Sequence, residues 1–324
     1  EQDEFAHDVE QALKSQQPSF LQAQTGLGKT YGYLLPALAQ TSKQILVTVP
    51  TKVLQDQIVA NEGQKLEEIF HLSVHSLKSP ANYLKLDFFY DSLQRVDDNR
   101  LVNRCKMLLL VWLTETESGD LDEIGQRHRY QTYFQQVLHD GKLSKKSLFY
   151  GADFWQKGQE KSKRSRVLVT NHAYFLTRLE DDKSIVENRL LIVDEAQKLF
   201  LALENLSRKS LNMTKCLQQI QSELETTDTI LQHRLIEDIQ FELTHAVEQF
   251  QRYKKNELTK ETCSKLRQDL SELDQSSLAD LRTIFATKYD QFWLKEEQFD
   301  DYRVTMLEAA CLEVLDFRAL LPEE

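Results

Sequence analysis

Two short stretches of this chain carry groups suited to phosphate chemistry. "LQAQTGLGKTYGYLL", residues 21–35, sets Gly26 and Gly28 ahead of Lys29 and Thr30. Backbone N–H groups of a tight glycine turn at the start of a helix can point at a polyphosphate. The lysine then reaches the β and γ phosphates, and the threonine hydroxyl can ligate Mg2+. The full pattern, G-x-x-x-x-G-K-[ST], asks for glycine at position 23, where Ala23 stands. That position closes the preceding strand and need not lie against phosphate, so a methyl group is tolerable. "LLIVDEAQ", residues 190–197, supplies the second set. Asp194, at a strand end, can hold Mg2+ through water, and Glu195 beside it can activate an attacking water. That pair favours hydrolysis over transfer to a second substrate.

These groups need a rigid scaffold. Four apolar runs, "SFLQA" (19–23), "QILVTVP" (44–50), "RVLVTN" (166–171) and "LLIVDEA" (190–196), read as buried strands separated by helical stretches. This is the pattern of a parallel sheet covered on both faces, an α/β core. An insert of about 75–165 has little β character. From 202 to 290 apolar residues recur at helical spacing, as in Leu224, Ile230, Leu235, Ile239, Leu243, Val247 and Phe250, without Pro or Gly, which predicts a helical subdomain. "QFWLKEEQFDDYRVTMLEAACL" predicts strands, around a turn at "FDD", that return to the core.

At 324 residues and 41% hydrophobic content the chain can bury a large core without staples. Cys105, Cys216, Cys263 and Cys311 form no C-x-x-C pair, which argues against a zinc knuckle or a disulfide framework and fits a reducing, cytoplasmic setting. No apolar run approaches the roughly 20 residues that span a bilayer. The formal net charge of −11 argues against wholesale coating of nucleic acid. Residues 141–166 are nonetheless locally basic, and carry Phe149, Tyr150, Phe154 and Trp155. They suit either a single-strand channel, with lysines on phosphates and rings on bases, or a solvated loop packed on its own aromatics. His71, His75, His128 and His139 form no recognisable ligand set.

Taken together, "AQTGLGKT", "TVPTKVLQDQ", "VLVTNHAYFL" and "VDEAQ" resemble superfamily 2 helicases of the DinG and XPD branch, above all the DinG-like proteins of Gram-positive bacteria. Helicases of this superfamily commonly carry alanine at the position of Ala23. The resemblance implies a RecA-like P-loop domain at 1–200, an inserted helical arch at 201–290, and a return to the first domain at 291–324. It implies ATP and Mg2+ as cofactors, with Gln2 reading adenine and Thr25, Gly26, Leu27, Gly28, Lys29 and Thr30 forming the phosphate loop. Thr30 and Asp194 become the metal residues, and Lys29, Asp194, Glu195 and Gln197 the catalytic set. Gln197 makes a DEAQ box where DEAH is commoner. Thr51, Lys52, Gln55, Asn171 and His172 match positions near single-stranded or forked DNA.

Many relatives hold a four-cysteine iron-sulfur cluster in the insert, starting near a "NYLC"-like stretch. Here the stretch is "ANYLKL", with Lys85 at the cysteine position and Cys105 the sole cysteine of the insert, so no cluster is expected. "LDFRALLPEE" resembles the run-in to the next family motif. A second RecA-like domain in the same polypeptide is therefore implied, and Gram-positive relatives add an N-terminal 3'-5' exonuclease domain. The activity implied is that of a DNA-dependent ATPase or helicase. The alternative is a nucleotide-gated single-strand clamp that regulates an attached nuclease without unwinding.

Overall fold

The computed structural model describes residues 1–311 apart from 25, 96–98, 126, 228, 275–276, 287 and 300–301. Thr25, the "FDD" turn and "LDFRALLPEE" thus lie wholly or partly outside the described residues. The chain runs through helix α1 (Gln2–Ser15), α2 (Lys29–Gln40), strand β1 (Gln44–Val49), α3 (Lys52–Gln57), a π-helical turn, α4 (Gln64–Phe70) and β2 (Val74–Ser76). Helices α5 (Leu86–Leu93), α6 (Arg100–Glu115), α7 (Gln131–Val137) and α8 (Phe154–Arg164) follow, then β3 (Val167–Asn171), α9 (His172–Asp181), β4 (Arg189–Val193) and α10 (Ala196–Ser207). The remainder is β5 (Arg208–Asn212), α11 (Met213–Thr226), α12 (Ile230–Tyr253), α13 (Lys260–Glu272), α14 (Ala279–Ile284), β6 (Gln291–Phe299) and β7 (Tyr302–Ala310). Residue contacts divide it into two units, Glu1–Leu199 and Phe200–Glu324.

In the first unit β2, β3, β1 and β4 form a parallel sheet in that order, with Thr48 of β1 facing Thr170 of β3 and Val193 of β4. Central β1 and β3 are rich in apolar residues because both faces are covered: Ile45, Leu46, Val47, Val49, Val167 and Val169 are almost wholly buried. Edge strand β4 is half-buried along its length. The three-residue β2 escaped the pattern reading, because "VHS" is too short and too polar to register as an apolar run.

The strand expected at 19–23 is not formed. Residues 18–24 hold no regular secondary structure and join no ladder, with Phe20 90% exposed and Leu21 44% exposed. Without a paired neighbour, an extended segment gains neither ladder hydrogen bonds nor burial to hold it as a strand. The insert packs its helices around a core of its own, including Leu84, Phe89, Cys105, Leu109, Leu121, Phe134 and Val137.

In the second unit α12 buries Leu235, Ile239, Leu243 and Phe250 as the helical spacing requires, but Ile230 is 89% exposed. The unit is not helical throughout, for β5 interrupts it. Nor do β6 and β7 join the parallel sheet. They form an antiparallel hairpin that pairs through β7 with β5, in the order β5-β7-β6. Arg208–Asn212 offers only a polar, largely exposed edge, with no alternation to mark it as that hairpin's partner. All four cysteines are buried and unbridged.

Candidate active site

The turn before α2 depends on backbone angles that glycine alone adopts freely. Gly26 sits at φ +86° and Gly28 at φ +77°, both left-handed. Gly28 is the N-cap of α2 and offers no side chain, so the first amides of the helix are left to an outside acceptor. A Cβ at Gly28 would also meet Gln2 Nε2 at 2.6 Å. Gln2, from α1, donates Nε2–H to the Gly28 carbonyl at 3.2 Å and so ties the loop to the first helix. Leu27, Lys29 and Thr30 are half-buried around this turn.

The second half of the site is the end of β4. Asp194 N–H donates to Thr48 O at 2.9 Å, extending the β1–β4 ladder by one step and fixing where the carboxylate emerges. Asp194 Oδ2 lies 3.4 Å from the Tyr33 hydroxyl of α2. Burial pushes the Asp194 pKa up, Lys29 pulls it back and Glu195 adds to the rise, leaving it above the ordinary value. A cation beside Asp194 would relieve that penalty, so the donor set fits a hard divalent ion held by Thr30 and Asp194.

Glu195 follows at φ +50°, in the left-handed region that a glutamate rarely enters. Its Oε2 is 2.6 Å from Lys198 Nζ, one turn into α10, where Gln197 is exposed. The structure thus brings the glycine turn, Lys29, Thr30, Asp194 and Glu195 to the sheet's carboxyl end. That is where open α/β sheets bind ligands.

Three residues expected at DNA face inward instead. Gln55 is fully buried and its Nε2 donates to Ser76 Oγ, Leu77 O and Val169 O. Asn171 donates to Gln55 Oε1 at 3.1 Å and caps α9 by accepting from Tyr174 N–H at 3.0 Å. His172 is 1% exposed, with Nδ1 2.8 Å from Thr48 Oγ1 and the ring against the backbone of Asp194 and Glu195. Burial lowers its pKa to about 4, outweighing the pull of those backbone groups. Gln55 and Asn171 thus spend polar atoms inside the protein, while His172 Nε2 is buried without a partner; the three join β1, α3 and β3 to the Asp194–Glu195 turn.

Thr51 and Lys52 do lie at the surface. Thr51 caps α3 by accepting from Leu54 N–H at 3.2 Å, and Lys52 donates to Asn82 Oδ1 at 2.9 Å. Pattern reading missed Tyr33, Thr48 and Lys198. Thr48 signals itself as the polar residue within "QILVTV", and Tyr33 and Lys198 each stand one helical turn after a named site residue.

Outside this site, Asp56, Asp120 and Asp122 bring carboxylate oxygens within 4.8 Å of one another. Buried Lys78 sits among them, paired with Asp120 and 2.7 Å from Asp56, and supplies the positive charge itself. Lys85 is similarly engaged, with Nζ 2.6 Å from Asp140 Oδ1 and bonded to the Lys142 carbonyl. In the basic stretch, Phe149 packs against Tyr90 and Trp155 against His139. Among the described residues no helix is long and apolar enough to cross a membrane.

Residues 5–108 match the DEAD/DEAH box helicase family. Over 196 residues the chain is 30% identical to the protein named 3'-5' exonuclease DinG of Bacillus subtilis (strain 168), covering 58% of this chain and 21% of that relative. It is 28% identical over 206 residues to the protein of the same name from Staphylococcus aureus (strain USA300), covering 60% and 22%. The matched stretch thus spans about a fifth of these curated relatives. Among solved structures, an XPD helicase aligns at TM-score 0.53 and 15% identity, over 97% of this chain and 54% of the other. A truncated XPD aligns at TM-score 0.51 and 14% identity, over 98% and 90%. The likeness to these two is one of fold.

Proposed function

We infer that this chain, a relative of the DinG and XPD branch of superfamily 2 helicases, is the ATP-binding first motor domain of a DNA-dependent ATPase and helicase acting on single-stranded DNA. The observation that carries this is the convergence of the uncapped glycine turn at α2 with Asp194 and Glu195 at the neighbouring strand end. The longer polypeptide would add a second RecA-like domain and, as the relatives' names suggest, a 3'-5' exonuclease.

In this reading the free amides of the turn and Lys29 take the phosphates, and Gln2 orders the loop beside the base. Thr30 and Asp194 would hold Mg2+, which would offset phosphate charge. Glu195 accepts the proton of the attacking water. The ion pair with Lys198 holds that carboxylate in place at the start of α10. Gln197 reaches toward the γ-phosphate side from the first turn of α10. Thr51 and Lys52 stand at the DNA backbone, while Asn171, His172 and Gln55 brace the strand ends from within. The insert does not suit an iron-sulfur cluster: Lys85 is committed to Asp140, and burial pushes the lone insert thiol, Cys105, up to about 11, which disfavours a thiolate ligand.

Transition-state arginines from a second domain are worth about 10^3 to 10^5 in rate in related phosphoryl-transfer enzymes. The isolated chain should therefore bind ATP with little turnover. The test is ATP binding and hydrolysis with Mg2+, with and without single-stranded DNA, against Lys29→Ala. Binding lost in the variant, with negligible turnover in both proteins, is the expected result. DNA-stimulated turnover abolished by Lys29→Ala would disprove dependence on a second domain.

The relatives' exonuclease names favour one second reading, a nucleotide-gated strand clamp that regulates a nuclease. Strand separation by the intact protein on a forked duplex would eliminate it.

A further inference from the structure

We propose that Tyr33 is a positioning residue that sets the metal side of this site, binding the phosphate-loop helix to the carboxylate at the end of β4; the proposal rests on the nucleotide reading above. Tyr33 stands one helical turn after Thr30 on α2, so the two side chains share a face. It is only 5% exposed. Its hydroxyl lies 3.4 Å from Asp194 Oδ2, and Thr30 is among the groups near enough to act on it. Thr30 and Asp194 arrive on separate elements, a helix and a strand end. One phenolic oxygen therefore bonds the carboxylate assigned to the cation from a position one helical turn past the threonine assigned to it.

A phenol has one proton to give and lone pairs to accept with. Here it donates to Asp194 Oδ2, leaving the other carboxylate oxygen and the Thr30 hydroxyl for the ion. Outer groups of this kind orient the ligands of a metal, and their loss typically costs about 10–100-fold in affinity or activity. Phenylalanine would preserve the ring in its buried slot while deleting the hydroxyl.

The decisive quantity is the gain in ATP affinity on going from EDTA to Mg2+, measured on the whole chain for wild type, Tyr33→Phe and Thr30→Ala. Tyr33→Phe should cut that gain about tenfold, the low end of the outer-group range, with affinity in EDTA held within about twofold. Thr30→Ala should cut the gain at least as far. An unchanged gain in Tyr33→Phe overturns the proposal, and so does an equal fall in both affinities, which would make Tyr33 a packing residue. Wild type that binds ATP without any Mg2+ gain overturns the proposal while sparing the nucleotide reading; no ATP binding under either condition sinks both.

Discussion

Glu195 holds a backbone angle that its side chain disfavours, and left-handed non-glycine residues of this kind cost about 1–3 kcal/mol where the surrounding structure enforces them. Glycine would relieve that cost, whereas glutamine would keep it. Glu195→Gly should therefore melt about 2–4 °C above Glu195→Gln, as a difference near 1 kcal/mol implies for a unit of this size, while both lose ATP turnover in the intact protein. Equal melting points would show that the turn is not strained by its side chain. That the glycine turn, Lys29, Asp194 and Glu195 come together was legible because glycine, lysine and the acidic pair each have few other uses in that pattern. The direction in which Gln55, Asn171 and His172 face was not. A polar residue in a motif can serve a ligand or a neighbouring strand, and spacing along one chain does not distinguish them.

Among the elements, α9 and α8 begin on buried caps, and each makes a prediction. Asn171 caps α9 and also satisfies Gln55. Asn171→Ala should cost about 2–3 kcal/mol, combining a lost N-cap with a buried acceptor left unpaired, and thermal melting would read it. A variant as stable as wild type would restore Asn171 as a candidate DNA contact.

Asp153 caps α8 by accepting from Gln156 N–H at 2.8 Å and faces His139 Nε2 at 3.1 Å. Burial raises the Asp153 pKa, but His139 and the Gln156 amide outweigh it and hold the carboxyl below its ordinary 3.8. The folded state then binds fewer protons than the unfolded state near that pH. The stability so gained is present above about pH 4 and lost as pH falls through the folded value. The stability deficit of Asp153→Asn should accordingly be largest at neutral pH and shrink below pH 4. A deficit independent of pH would refute the assignment. Strands β1, β3 and β4 were legible as apolar runs, while β2 and β5 were not, since three half-buried residues and a polar edge carry no periodic signal. Segment 19–23 shows the converse: apolar content suggests a strand, but a ladder needs a partner.

At the scale of the whole chain, contacts fall into two units, and the candidate nucleotide residues lie in the first. A ligand bound to one folded unit stabilises it by about 2.7 kcal/mol at 100 times its Kd. Calorimetry should therefore resolve two transitions, with Mg2+ and ATP raising the melting temperature of one and leaving the other in place. A single transition shifted as a whole would show that the units unfold together.

The four cysteines are sequestered, and burial raises the thiol pKa to about 11 at Cys105 and about 12 at Cys216. Alkylating dyes react with exposed thiolate, so the native surface is nearly silent to maleimide. A cysteine introduced at exposed Gln197 or Thr51 would take up label selectively, turning either edge of the site into an optical reporter without first stripping the protein of its own sulfur.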